Sequence, residues 1–345
     1  MSQFWFYVST ANCSRRVFFI PANPNSSTAL AAITERLHSA VAEEPVTIGR
    51  WALEHKLMRD TPSCVPGSGP QRAAQPRYMQ FLSLSYYPNH GFIYTSQSPE
   101  KTGQGQTPVP NAATPQPGLG PASGSATPSN TAAPGGSGMV MSTVPLPSSG
   151  ALFKHFVYAC QPFWCHRHTV AVPGGMVYDV GDFRVRIGDV RQTQPAARVR
   201  GTVVEIEYRG PSLVTSISTQ YVQSKRGVNL GGATDVLDND HDSVMDLALF
   251  GSIEDVDIDA EYIATAALIR EFWSKLGIEG AREAILVPDV GREVKAQLKR
   301  LKLQEKMGQT APRNEGHALQ QDDDPDPDAG TDLARQFMEI FRFNR

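Results

Sequence analysis

Four charged side chains on two neighbouring segments carry the first candidate chemistry. Asp182-Phe-Arg-Val-Arg-Ile-Gly-Asp-Val190 and Gly201-Thr-Val-Val-Glu-Ile-Glu-Tyr-Arg209 both alternate apolar and charged residues, the period of a strand with two unlike faces. Phe183, Val185 and Ile187 share one face of the first, with Arg184 and Arg186 on the other. In the second, Val204, Ile206 and Tyr208 lie opposite Val203, Glu205 and Glu207. A symmetric antiparallel hairpin sets Arg184 across from Glu207 and Arg186 across from Glu205. Such cross-strand pairs contribute at most ~1 kcal/mol each on a solvated face.

Two carboxylates on one strand face are also how tunnel-type triphosphate hydrolases hold a metal ion. That chemistry needs several such strands, with lysines and arginines converging on the phosphates, because Mg²⁺ or Mn²⁺ takes a shell of oxygens. Here Glu205-Ile-Glu207 is the single motif of its kind, so the charged face is expected on the outside of the sheet. The interior discriminates the two readings. Inward-facing acids and bases around Glu205 and Glu207 would favour a hydrolase, and an apolar interior a scaffold.

Other constellations are weaker. Cys160, Cys165, His166 and His168 crowd together without the spacing of a zinc site. Cys160 is expected as a small buried hydrophobe, with the two histidines at the start of a strand. His241 between Asp240 and Asp242 lies in an acidic loop with no nucleophile elbow in the chain. Gly227, Gly231 and Gly232 match no phosphate or dinucleotide fingerprint. The basic cluster Lys295–Lys306 lacks interleaved aromatics, so a solvated helix is expected rather than a nucleic-acid site. These residues imply no enzyme, no cofactor and no metal.

Composition agrees. The 345 residues are 40% hydrophobic and carry a net charge of −3 from 32 basic and 35 acidic residues. That balance argues against a phosphate backbone as the main partner. Four cysteines in so long a chain imply a reducing compartment, and no apolar run approaches the ~20 residues of a membrane span.

The elements that position these groups follow from periodicity and breakers. Phe4–Val8 is expected as a strand, then a helix capped by Asn25–Thr28 and running to Val41 with Leu30, Ile33, Leu37 and Ala40 on one face. Strands are expected over Val46–Leu57, Arg77–Tyr87 and Phe92–Tyr94, the last two joined at Pro88-Asn-His-Gly91. Residues 97–150 are rich in Pro, Gly, Ser, Thr and Ala, and read as a disordered insertion. It splits one domain into 1–96 and 151–345. Ala151–Tyr158 is a short helix or strand, and Trp164–Val172 leads into the charged hairpin. Residues 225–258 read as an acidic loop. Asp259 begins a helix with Tyr262, Ala266, Ile269, Trp273 and Leu276 in a stripe, ended by Gly277. Residues 308–330 read as an acidic linker before a C-terminal helix at 331–343.

The order of these elements resembles that of Mediator complex subunit 20, from the head module of the RNA polymerase II coactivator. The run Tyr178–Val190, a short loop and Arg200–Tyr208 is similar to the family's central strand block. Phe4–Val8 with Ser27–Val41 resembles its opening strand and helix, and Arg77–Tyr87 its strand pair before a variable segment. Trp164 with Arg167 falls at the family's tryptophan-to-arginine step, and Leu333–Arg342 is similar to its last helix. The chain is longer than the usual member, with long loops of the fungal type.

The resemblance implies an α+β fold: an antiparallel, barrel-like sheet with packed helices in one domain. It further implies a nuclear, non-enzymatic coactivator scaffold that bridges regulators to the polymerase machinery by protein–protein contacts. Expected partners are Mediator subunit 18 as a heterodimer, the C-terminal segment of subunit 8 and other head subunits. RNA polymerase II is contacted indirectly, with no membrane and no direct sequence-specific nucleic-acid binding. Trp164, Arg167, Phe272, Trp273, Phe337 and Phe341 are the candidate partner-binding residues, with ordinary core the expected alternative for Trp273 and Phe337. The rivals are a tunnel-type triphosphate hydrolase using Glu205 and Glu207, or a nucleic-acid-binding module.

Overall fold

A computed structural model describes residues 14–23, 28–61, 77–96, 139–161, 163–229, 251–285, 290–308 and 325–342. Nine antiparallel strands form one sheet. They are β1 (Arg15–Pro21), β2 (Val46–Asp60), β3 (Tyr78–Leu84), β4 (His90–Ser96), β5 (Met139–Pro145), β6 (Trp164–Val180), β7 (Phe183–Gln194), β8 (Arg198–Tyr208) and β9 (Arg282–Glu283). Six helices are described: α1 (Ala29–Ala40), α2 (Leu146–Tyr158), α3 (Leu213–Asn229), α4 (Asp255–Leu276), α5 (Arg292–Gly308) and α6 (Thr331–Ile340). The fold class is therefore α+β, as expected.

The strand order is β5-β4-β3-β2-β6-β7-β8-β1-β9. In that order β4 and β1 are six steps apart, roughly 29 Å in a flat sheet at about 4.8 Å per step. Yet α6 touches β1, β3 and β4, and a helix is only about 10–12 Å across. The sheet must therefore curl around α6. The ladder itself does not close, since β5 and β9 remain its two ends. Instead the C-terminal segment reaches both. Thr143 on β5 donates to the Pro327 carbonyl at 2.9 Å, and Arg282 on β9 donates to the Ile340 carbonyl at 2.6 Å.

Both faces of the curled sheet are buried, for different reasons. On the inner face Val17, Phe19, Trp51, Phe92 and Val203 pack against Leu333, Phe337 and Phe341. On the outer face Phe18, Val185, Ile187, Val204 and Ile206 pack under Ile33 and Leu37 of α1 and Ile269, Phe272 and Leu276 of α4. Elsewhere on the sheet, Phe153, Phe156 and Val157 of α2 cover Met58, Met79 and Phe81. Close approach of Trp51 to β7 depends on Gly175. A Cβ there would lie 2.2 Å from the indole Nε1, which donates to the Ile187 carbonyl at 3.2 Å.

Several expectations need correction. The Phe4–Val8 strand lies outside the described residues, and the first described strand is β1. The expected disordered insertion is too long: residues 139–150 form β5 and the start of α2. Their apolar residues Val140, Met141 and Val144 and a proline at the first turn of α2 supply ordinary strand and helix signals. Helix α3 extends the 213–223 segment into the expected acidic loop, and residues 230–250 of that loop lie outside the described residues. Helix α4 starts one turn earlier than Asp259, with Glu254 and Asp257 forming a capping box that satisfies backbone donors reciprocally. Gly277 ends it with φ 60°, as expected of a left-handed cap. The basic segment Lys295–Lys306 is not solvated all round, because Val294, Leu298 and Leu301 form a buried stripe on α5. Part of the acidic linker is also held, with Arg300 reaching Asp326 at 3.4 Å and Asp328 at 2.6 Å.

Candidate functional site

The hairpin register is the expected one. Arg184 stands opposite Glu207 and Arg186 opposite Glu205. Its location is not. Arg186, Glu205 and Glu207 are 6%, 0% and 1% exposed, because their face lines the inside of the curl. The apolar face that was expected to look inward is instead covered from outside by α1 and α4. A strand buried on both sides gives the same alternation as one with a solvated face, so periodicity alone could not decide.

Strand β1 completes the cluster. It pairs with β8 so that Arg15 faces Glu207, and Arg15 approaches Glu207 at 3.3 Å and Glu205 at 3.7 Å. Arg186 Nη1 donates to Glu205 at 2.8 Å and to Glu207 at 2.7 Å. Tyr86, from the turn after β3, donates to Glu205 at 2.5 Å. Its ring lies 4.4 Å from the Arg186 guanidinium carbon, a cation–π contact. Arg15 also donates to the Tyr87 hydroxyl at 3.4 Å. Arg184 turns to Asp179 instead, with two bonds of 2.7 and 3.0 Å. Two cations thus meet two anions in the interior, with Tyr86 donating to Glu205, Tyr87 accepting from Arg15, and the buried Arg15 Nε left without a hydrogen-bond partner among the described residues.

The electrostatics follow from that pairing. Burial alone would push the Glu207 carboxyl up, but Arg15 and Arg186 hold it down at about 2. Burial likewise opposes the charge on Arg15 and Arg186, and the neighbouring carboxylates outweigh it and raise both guanidinium values. Burial, then the Glu205 carboxylate, pushes the Tyr86 phenol well up. Arg15, Arg186 and Glu207 are therefore charged at neutral pH. A buried charge without such partners would cost several kcal/mol.

Inward-facing acids and bases are the feature that the hydrolase reading asks for. Here each carboxylate is already engaged by guanidinium groups, and neither is open to solvent. Among the described residues no group of three or more His, Cys, Asp or Glu side chains could hold a metal ion. The cluster does the work of a polar core.

The other candidates fall in three kinds of place. Phe272, Phe337 and Phe341 are 4%, 0% and 0% exposed. Phe272 stacks on Phe183 at 4.4 Å, and Phe337 on Phe341 at 5.9 Å. These three fill the core and offer no surface, which corrects their assignment to a partner face. Trp273 is half-buried and stacks on Phe18 at 4.4 Å. Trp164 is half-buried against Phe156, and Arg167 is exposed. His166 and His168 do sit at the start of β6, whereas Cys160 is only partly buried and Cys165 is exposed. His168 hydrogen-bonds the Phe341 backbone. His55 meets Gln80 at 2.9 Å, and burial lowers it to about 3. His241 lies outside the described residues.

Sequence reasoning missed Arg15, Tyr86 and Gln336. Arg15 precedes a short apolar run, Val17-Phe-Phe-Ile20, which was the available signal for β1. Nothing local marks Gln336, a polar residue on the buried face of an otherwise amphipathic helix.

Comparison with known proteins decides the family. The family model described as TATA-binding related factor (TRF) of subunit 20 of Mediator complex matches residues 12–342. The chain belongs to the Mediator subunit 20 family. Membership makes it a subunit of the Mediator complex that acts in regulated RNA polymerase II transcription in the nucleus, in association with other Mediator subunits. No curated protein matches the chain. A solved structure described as that of PH1819 protein from Pyrococcus Horikoshii OT3 is similar at 9% identity and a TM-score of 0.24. That match covers 67% of this chain and 98% of that one, and at such a score it carries no argument about this Mediator subunit 20 relative.

Proposed function

We propose that this chain is a non-enzymatic scaffold of the Mediator head that bridges regulators and RNA polymerase II through protein contacts alone. The family match across residues 12–342 carries this reading. The interior supports it, since its charges neutralise one another rather than face a substrate. The partners are Mediator subunit 18, as a heterodimer, and the C-terminal segment of subunit 8. Trp164 and Arg167 at the start of β6 are the partner residues retained from the sequence, being half-buried and exposed respectively.

The nucleic-acid reading loses its footprint on α5. Lys295 is spent on Asp259 at 2.6 Å, Lys302 on the Ile253 carbonyl at 2.6 Å, and Arg300 on Asp326 and Asp328.

Purification of the native complex through the full chain, with subunits identified, tests the proposal. Subunits 18 and 8 are expected in stoichiometric amounts, and their absence would overturn it. Release of phosphate from a nucleoside triphosphate with Mn²⁺, abolished by Glu205→Gln, would restore the hydrolase.

A further inference from the structure

Helix α4 shows solvent an apolar stripe that no described element covers. Val256 and Ile263 are 70% and 73% exposed and Leu268 is 41% exposed. Ala260, Ala264 and Ala267 are exposed beside them. These positions recur at spacings of three and four, on the side away from the buried stripe Ile258, Tyr262, Ala266, Ile269 and Phe272. The central line of that outer face, 256–260–263–267, therefore runs for three turns without a charge. Helix propensity does not account for it, because valine and isoleucine are poorer helix formers than the charged residues an exposed face normally carries. Small residues between two β-branched ones form a shallow trough that lets another helix approach closely.

Charge selects the occupant. Asp257 and Glu261 flank the line 256–260–263–267 on the side of Leu268. Asp257 accepts the Glu254 N–H at 2.8 Å, and among the described residues neither carboxylate makes an ion pair. The opposite border already shows what such a rail attracts. There α5 packs against α4 through Val294, Leu298 and Leu301, and its Lys295 and Lys299 reach Asp259 at 2.6 Å and Asp255 at 3.8 Å. A second copy of the chain is a poor match. The cations at the far end of α4 are engaged, Arg270 with Glu283 at 2.9 Å and Lys275 with Glu271 at 3.0 Å.

We infer that the stripe Val256–Leu268 on α4 docks an amphipathic helix of another protein, with an apolar ridge bordered by lysines or arginines facing Asp257 and Glu261. The partner helix lies against α4 on the side away from the sheet, with the acidic border fixing its orientation. This deepens the scaffold reading and rests on it for the kind of assembly, but not for the surface.

The test uses the full chain with the photo-crosslinking residue p-benzoylphenylalanine at position 267, purified in its native assembly. A cross-link to one segment of another protein is expected, with apolar residues at helical spacing bordered by lysine or arginine. Adding Ile263→Glu should lower the cross-link yield at least tenfold, and Glu261→Lys several-fold, with unchanged melting. Ile263→Leu should leave it unaltered. Absence of a cross-link overturns the proposal, as does a cross-link to a second copy, to another part of this chain or to a segment without the basic border. Should the assembly contain no Mediator subunits, the scaffold reading fails, and the cross-link still decides the surface.

Discussion

The side-chain amide of Gln336 is hydrogen-bonded to the backbone of β1 on either side of residue 16. It accepts from the Val17 N–H at 3.1 Å and donates to the Arg15 carbonyl at 3.1 Å. The two partners are 319 and 321 residues away in sequence. Strand β9 pairs with β1 only at Phe18 and Phe19, so one amide continues the ladder where the neighbouring strand has ended. Gln336→Met keeps the volume and strands both backbone groups. A loss of about 2–4 kcal/mol in urea unfolding is expected, and an unchanged midpoint would show that the amide is dispensable.

The interior ion cluster makes a sign-dependent prediction. Arg186→Met alone leaves Glu205 and Glu207 short of a cation, and should destabilise by about 3–5 kcal/mol. Adding Glu207→Leu removes one of the uncompensated charges, leaving Arg15 beside Glu205. The double variant should therefore unfold at higher denaturant than Arg186→Met. Simple addition of two independent losses would show that the pair is not coupled.

Acid should act in two stages. His55 and His168 are lowered by burial to about 3 and about 4 from 6.5. Below pH 6.5 the unfolded chain therefore binds protons that the folded chain refuses, and stability falls as pH drops towards those values. Glu207 adds a second loss from 4.5 down to about 2, where its folded carboxylate finally takes a proton. Urea midpoints measured from pH 8 to 3 should be level above 6.5 and fall below it. In His55→Asn the upper part of that fall should be shallower, and an identical slope would remove His55 from the account.

Trp273 and Arg167 should separate core from surface. Trp273→Ala removes the stacking on Phe18 and is expected to cost about 2 kcal/mol of stability. Arg167→Ala should leave melting within about 0.5 kcal/mol, as exposed positions usually do, and weaken the heterodimer proposed with subunit 18. Normal affinity of the Arg167 variant would move the interface elsewhere.

How much was legible varied with the range of the interactions. Helix α1, the left-handed end of α4 at Gly277 and the pairing of Arg184 with Glu207 rest on neighbouring residues, and sequence spacing is enough to find them. The burial of Glu205 was not legible. It depends on Arg15 of β1 and on the Tyr86 turn, both far away in sequence, and neither alters the alternation of β8. Phe341 was misplaced for the same reason. An aromatic residue at the end of a short amphipathic helix looks like an anchor for a partner until the curled sheet is seen to be that partner. The exposed stripe on α4 was hidden by the stronger buried one, whose period it shares.

Helix α6 follows all nine described strands in sequence yet fills the space they curl around. The inner wall is therefore completed last in sequence order, and a product ending before α6 leaves Trp51 and Phe92 without Phe337 and Phe341. The last helix is thus the keystone of the inner wall, and the apolar surface it covers is closed by residues as late in the chain as Phe341.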